Sequence, residues 1–343
     1  SGPINPNKKK VRESRKVRES LDWMPNDTNT LSHEPAGQEP SYPAIYQKKN
    51  LVAWCIVPYD LRDRTPAQRA SMLRDLGIRR MAWDWRERHL SQLEEEIYAL
   101  RDAEIELTSV WFWLDNRASL ASDGLLDHHE KILQTLDRTN TKTTLWVSYD
   151  NDFYAGLTDE QRLRKAVKSV GNILSRAKAQ GLRVALYNHG DWFGEPENQI
   201  RILRELGVEA GEMHGAGEMP GAGEMQAAEA VQGSITSADI GLVYNFHHGH
   251  EQTEQFPQLL NAMLPYLWTV NINGMKRGGE KIMDINAGDL EQEMLSTLAA
   301  SGFRGNIGIL GHTEGEDVRE VLERNLRGLH TWAQTTSNNK QNP

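Results

Sequence analysis

The chain has 343 residues, 38 % of them apolar and 25 % charged, which is the composition of a soluble globular protein and excludes a collagen-like or wholly disordered chain. Its net charge of −9 and pI near 5.7 argue against nucleic acid as a main partner. No run approaches the roughly 20 apolar residues of a membrane span, mean hydropathy is −0.63, and the single cysteine, Cys55, excludes an internal disulfide or a multi-cysteine metal site.

Residues 1–50 are rich in Lys, Arg, Glu, Ser, Asn and Pro, carry the basic run Lys8-Lys9-Lys10-Val11-Arg12, and show no apolar stripe. They read as an extended or disordered N-terminal arm. The chain opens Ser1-Gly2-Pro3 without a methionine, the mark of processing, so cytoplasmic residence and export after signal removal are both open. From Leu51 an apolar run to Val57 is followed by Thr65-Pro66, an N-cap and N1 pair, and a helical stretch to Leu76-Gly77. The same alternation recurs. Further strands are predicted at Arg80–Trp85, Leu107–Leu114, Thr144–Tyr149, Arg183–Asn188, Gly241–Asn245, Leu267–Asn273 and Asn306–Leu310. Helical patterns separate them near 93–100, 124–138, 158–180, 197–206, 254–264, 288–301 and 316–332.

Eight strand–helix units between residues 51 and 332 predict a single-domain (β/α)₈ TIM barrel, followed by a short tail at 333–343. An open doubly wound sheet is the alternative, lowered by the absence of Gly-x-Gly-x-x-Gly after the first strand. The low-complexity repeat Ala210-Gly211-Glu212-Met213, Ala216-Gly217-Glu218-Met219 and Ala222-Gly223-Glu224-Met225 reads as a surface insertion near 209–235.

A barrel places its chemistry at the C-terminal strand ends. Those ends carry Asp84-Trp85-Arg86, Trp113-Leu114-Asp115, Asn188-His189-Gly190-Asp191-Trp192, Asn245-Phe246-His247-His248-Gly249-His250-Glu251, Asn271-Ile272-Asn273 and Gly311-His312. The strand starts offer little polarity by comparison. Period-two alternation puts Tyr187 with His189, Asn245 with His247, Asn271 with Asn273, and Leu310 with His312 on inward faces. His189 and His248 are the acid/base candidates, because imidazole titrates near neutrality. Trp85, Trp113 and Trp192, at strand ends, suit stacking on a sugar ring as well as plain rim packing, whereas Trp54, Trp83 and Trp146 read as barrel-to-helix packing. Asp84, Asp115, Asp150, Asp191 and Glu195 read as loop caps or acids, and Lys276 and Arg277 as a solvated loop.

From Leu51 to about Leu329 the chain resembles the sugar-phosphate isomerase/epimerase superfamily, the xylose-isomerase-like barrels. The resemblance rests on Val184-Ala185-Leu186-Tyr187-Asn188-His189-Gly190, Gly241-Leu242-Val243-Tyr244-Asn245-Phe246-His247-His248 and Ser301-Gly302-Phe303-Arg304-Gly305-Asn306-Ile307-Gly308. It implies a carbohydrate substrate and proton transfer beside a carbonyl, in isomerisation, epimerisation or β-elimination. Family members hold a divalent metal with Glu, Asp, His and Glu; here Tyr187, Asn245, Asn271 and Leu310 stand at or near those positions. Amides, a phenol and a leucine cannot replace carboxylate charge, so no metal cofactor is expected. Substrate-binding positions would be Trp85, Arg86, Trp113, Asn188, Trp192, Asn245, His247, His250, Glu251, Asn271, Asn273 and His312. A transition metal bound among His189, His247, His250 and His312 is the lesser alternative, disfavoured because no spacing such as His-Glu-x-x-His is present. The rival function is a non-catalytic sugar-binding pseudoenzyme. Barrels of this type often pair, so a homodimer is one expectation.

Overall fold

Eight parallel strands pair in sequence order, and the eighth closes back on the first, Leu51 opposite Ile307 through Trp54 opposite Leu310. The structure is a computed structural model that describes residues 42–210 and 234–341; the arm before residue 42 and most of the Ala-Gly-Glu-Met insertion lie outside the described residues. The strands are β1 (Leu51–Trp54), β2 (Arg80–Trp83), β3 (Glu106–Leu114), β4 (Thr144–Tyr149), β5 (Arg183–Tyr187), β6 (Ile240–Asn245), β7 (Leu267–Ile272) and β8 (Asn306–Leu310). Between and after them run α1 (Pro66–Leu76), α2 (Leu93–Asp102), α3 (Asp127–Arg138), α4 (Asp159–Ala179), α5 (Pro196–Glu205), α6 (Phe256–Met263), α7 (Glu291–Ala300) and α8 (Val318–Gln341). This is the (β/α)₈ barrel the periodicity predicts. Among the described residues no helix is long and apolar enough to cross a membrane.

Local signals set the helix ends. Thr65 caps α1 in a reciprocal box with Gln68, Pro66 opens its first turn, and Gly77 ends it at φ 73°. Two boundaries differ from the sequence expectation. Residues 42–50 pack on the barrel instead of belonging to an arm: Tyr46 is fully buried, donates its hydroxyl hydrogen to the Leu295 carbonyl at 2.6 Å, and meets Trp332 edge-on. The last helix continues past residue 332, because Ala333 extends the buried stripe of Leu322, Leu326 and Leu329. The first strand is also shorter than its apolar run. Cys55 turns left-handed at φ 58°, so the chain leaves the strand there and Val57 reaches the Asp84 carboxyl just past β2.

Two apolar layers follow from strand parity. Leu107, Val110, Phe112, Leu186 and Tyr244 face the helices, while Val52, Trp54, Ala82, Trp146, Ala185, Tyr187, Val243 and Leu310 fill the barrel interior. Trp83 lies in the helix-facing layer as expected, but Trp54 and Trp146 point inward, because they share parity with Val52 and Thr144. A one-residue bulge in β7 turns Trp268 into the base, where Gly241 leaves room and the Arg183 guanidinium stacks on the indole at 4.4 Å. The base is more polar than the strand starts suggested. A cavity of about 30 Å³ there is lined by Thr108, Ser109, Thr144, Arg183, Thr269 and Asn306.

Two histidines are locked neutral in the helix-facing shell. His129 accepts the Leu126 N–H at Nδ1 and donates from Nε2 to the Trp113 carbonyl, and burial pushes its pKa down to about 3. Burial likewise pushes His89 down to about 4. The unfolded chain takes up protons at these sites near pH 6.5 and the folded chain does not, so stability is full above 6.5 and lost as pH falls below it. Each site should therefore remove about 1 kcal/mol between pH 7.5 and 5.5. Urea unfolding at the two pH values checks this; equal midpoints, or an unchanged pH slope in His129→Gln, would contradict it.

Candidate functional site at the barrel mouth

An aromatic floor closes the interior below the mouth. The Trp54 indole N–H donates to the Tyr187 hydroxyl at 3.1 Å, joining β1 to β5 across the barrel. Trp146 meets Trp54 edge-on at 4.7 Å and Trp111 meets Tyr187 edge-on at 4.7 Å. Such T-shaped contacts, added to large buried area, fix ring positions well.

Above the floor, one wall is a chain of amides. Asn188 Oδ1 accepts both the Asn245 backbone N–H and its side-chain amide at 2.7 Å. Asn245 Oδ1 accepts from the Asn271 amide at 2.7 Å. Asn271 presses its oxygen against Gly308, where a Cβ would come within 1.8 Å. Asn273 donates to the Gly274 and Lys281 carbonyls, which fixes the loop after β7 together with a Gly274–Met283 bridge. The asparagines predicted as substrate ligands thus hold the strand ends together, and Asn188, Asn245, Asn271 and Asn273 are all buried.

Four histidines gather over this wall. The His189 and His248 rings lie 4.6 Å apart, His247 and His248 3.9 Å, and His247 and His312 6.3 Å. His312 in turn packs on Tyr59 at 3.8 Å. Burial pulls all four below the usual imidazole range, and mutual repulsion adds to it for His247, His248 and His312. His247 is pushed down to about 3, and the charge of Lys281 weighs on both His247 and His248. His189 is drawn back upward by Asp191 and Asp150. The cluster is therefore neutral at neutral pH, and charging one ring makes its neighbours harder to charge.

Other expected residues stand elsewhere. His250 donates from Nε2 to the Lys276 carbonyl at 2.7 Å, and Glu251 points outward with its side chain 85 % exposed. Gly249, pressed on the Tyr244 hydroxyl, lets the chain fold back so that His250 leaves the cluster. Trp85 donates its N–H to the Trp111 carbonyl and packs in the helix-facing layer; Trp192 is held by Asp159 at 2.8 Å and by the Tyr154 ring. Trp113 remains half-buried at the end of β3. Arg86 is exposed at the mouth and donates to the Tyr59 hydroxyl at 3.0 Å. Lys276 and Arg277 are exposed, as expected of a solvated loop.

Sequence reasoning passed over Tyr59 and Lys281 and left Asp84 open between loop cap and acid. Asp84 is 4 % exposed; its Oδ1 accepts the Val57 N–H at 3.3 Å and its Oδ2 is buried without a partner. Burial pushes its pKa up to about 7, against the opposing pull of that N–H and of Arg86. Two residues beyond the inward Ala82, it lies on the same face, which is the signal that could have found it.

The donor set does not fit the metal that the resemblance implies. The Tyr187 hydroxyl is bonded to Trp54, the Asn245 and Asn271 amides engage one another, and Leu310 is apolar. Among the described residues no three His, Cys, Asp or Glu side chains converge as a ligand set. The amide chain makes its own prediction. Gly308→Ala should cost about 1–3 kcal/mol by overpacking Asn271, and Gly308→Ala with Asn271→Ala should recover part of it in thermal melts. Strict additivity of the two losses would show that the glycine does not serve Asn271.

No protein-family model matches the chain, and no curated protein matches it by sequence. Solved structures do match. An apo 3-keto-D-glucoside 4-epimerase, YcjR, from E. coli superposes with TM-score 0.58 at 13 % identity over 83 % of this chain and 100 % of that one. IOLI protein with a bound zinc atom gives 0.58 at 11 % identity over 84 % and 99 %. D-psicose 3-epimerase from Clostridium cellulolyticum H10 gives 0.53 at 12 % identity over 83 % and 98 %. Likeness at this identity is likeness of fold: the chain has the fold of the xylose isomerase-like TIM barrels.

Proposed function

We propose that the barrel mouth binds a small keto-sugar and moves a proton at the carbon beside its carbonyl, giving isomerisation, epimerisation or β-elimination without the divalent metal usual in such folds. The observation that carries this reading is the His189–His248 pair, 4.6 Å apart above a closed aromatic floor. Names of similar structures, a 3-keto-D-glucoside 4-epimerase and a D-psicose 3-epimerase, support the substrate class.

The two rings divide the work by environment. His189, with Asp191 and Asp150 favouring its charge, is the base that takes the proton from carbon. His248, flanked by His247 and depressed further, stays neutral and offers an N–H to a substrate oxygen. A lowered pKa makes a weaker base, so the C–H must already be acidified by an adjacent ketone, which favours oxidised glycosides and ketoses over plain aldoses. Lys281, an exposed side chain whose charge reaches both His247 and His248, adds to the forces that keep those two rings neutral. A non-catalytic sugar-binding barrel is the second reading, favoured by the amide chain Asn188–Asn245–Asn271 standing where chemistry would need charge.

The test offers aldoses, ketoses, their phosphates and 3-keto glycosides in deuterated water and follows exchange by NMR. His189→Asn should slow exchange by about 10²–10⁴-fold, and His248→Asn should also slow it, without unfolding either variant. Sugar binding with no exchange in the parent protein would install the binding-module reading. The same experiment read against pH gives a second prediction. Because the folded-state pKa of His189 lies below 6.5, the acid limb of the rate profile should fall below pH 6.5; a limb centred at or above 6.5 would contradict a depressed base.

A further inference from the structure

A fully buried carboxyl oxygen with no partner calls for a physical reason, since leaving one unmade costs about 1–3 kcal/mol. Asp84 Oδ2 is such an atom, on the inward face just past β2. The groups facing it offset its burial only in part. Cys55, at the end of β1, is a buried thiol, and Tyr59 and Tyr187 are phenols. Arg86 beyond β2 already donates to Tyr59 and the Trp85 carbonyl, and Arg69 of α1 is paired with Glu96 at 2.7 Å. The Val57 N–H serves the carboxyl at the other oxygen, Oδ1, and leaves Oδ2 without a partner. The position is equally telling. In a ring of eight, β2 and β6 stand four strands apart, so Asp84 and His248 occupy opposite walls. Tyr187, in the floor below, neighbours both: its ring is 5.8 Å from His248, and the charge of Asp84 bears on its hydroxyl.

We propose that Asp84 is the hydrogen-bond and proton donor to the substrate's carbonyl oxygen, on the wall opposite the histidine pair. This rests on the proton-transfer reading above and extends it to the acid. His189 takes the proton from the carbon beside the ketone and becomes imidazolium; the electron pair of that C–H bond forms the C=C bond. The C=O π pair moves to oxygen, which takes the proton from Asp84 Oδ2, leaving a neutral enediol-type intermediate and an Asp84 carboxylate. Return of the carbon proton from imidazolium, and of the hydroxyl proton to Asp84, closes the cycle with no other reactant. A carboxylic acid kept neutral by an apolar site is suited to this donation, and burial that holds Asp84 up to about 7 keeps it protonated through mildly acidic pH.

Asp84→Asn and Asp84→Ala test it on the full chain. Infrared difference spectra between wild type and Asp84→Asn should show a carboxylic-acid carbonyl band at pH 6 that vanishes above pH 8, and the band should shift when 3-keto-glucoside is added. Exchange should fall at least 100-fold in Asp84→Asn with KM changed less than fivefold, and the alkaline limb of the wild-type profile should disappear. Both variants should keep wild-type far-UV circular dichroism, and Asp84→Asn should melt no lower than wild type at pH 8, because a buried ionised carboxyl is removed. A missing acid band at pH 6, or exchange within threefold of wild type, overturns the assignment while leaving the histidine pair intact. If wild type exchanges no sugar, the proton-transfer reading falls and the band decides alone: unmoved by every sugar that binds, it overturns the donor as well. A protein that binds none of the sugars overturns both.

Discussion

The hydrogen bond from the Trp54 indole to the Tyr187 hydroxyl spans the barrel and sets the character of everything above it. With Trp111 and Trp146 wedged against the same pair, the interior is plugged by closely packed rings. A plug of this kind leaves a mouth and no shaft. It also puts a neutral phenol at the position where the resemblance places a metal-binding glutamate. Once that charge is gone, a cation has little to hold it, and the neighbouring positions follow suit: Asn245 and Asn271 bond to each other, and Leu310 joins the plug.

The electrostatics of the mouth follow from the same exchange of charge for neutrality. Four imidazoles crowd within 3.9 to 6.3 Å of a neighbour, a packing that disfavours charge on more than one of them at a time. A site full of carboxylates and metal would fix strong charges. This one keeps groups that can each take or give one proton: His189, which nearby aspartates favour, and Asp84, which burial disfavours as an anion. Pairs of titratable groups whose surroundings push them in different directions are a common way to separate acid from base.

Much of the fold was legible because the signals are local. Thr65-Pro66 and Gly77 mark α1, and the apolar runs mark all eight strands. Inward parity followed from the period of two and located Tyr187, His189, His247 and His312 on one mouth. The signal failed where tertiary contacts override the local pattern. Nothing local says that Gly249 folds the chain back on Tyr244 and removes His250, nor that Trp85 and Trp192 find hydrogen-bond partners in the Trp111 carbonyl and Asp159. Asp84 sits just past the end of β2 among several strand-end acids, so the local sequence leaves it open between loop cap and acid until the inward face of Ala82 is known. Residues 42–50 look like more of a polar arm because their anchors, such as the Tyr46 hydroxyl on Leu295 and the Asn50 amide on Gly305, are contacts distant in sequence.

The central claim is that protein groups alone move the proton. The direct measurement is deuterium incorporation into a 3-keto glycoside by protein stripped with chelator and assayed for bound metal. Exchange should persist at the untreated rate and be unchanged on adding back manganese, magnesium or zinc. Exchange that stops with the chelator and returns with one ion per chain would contradict it.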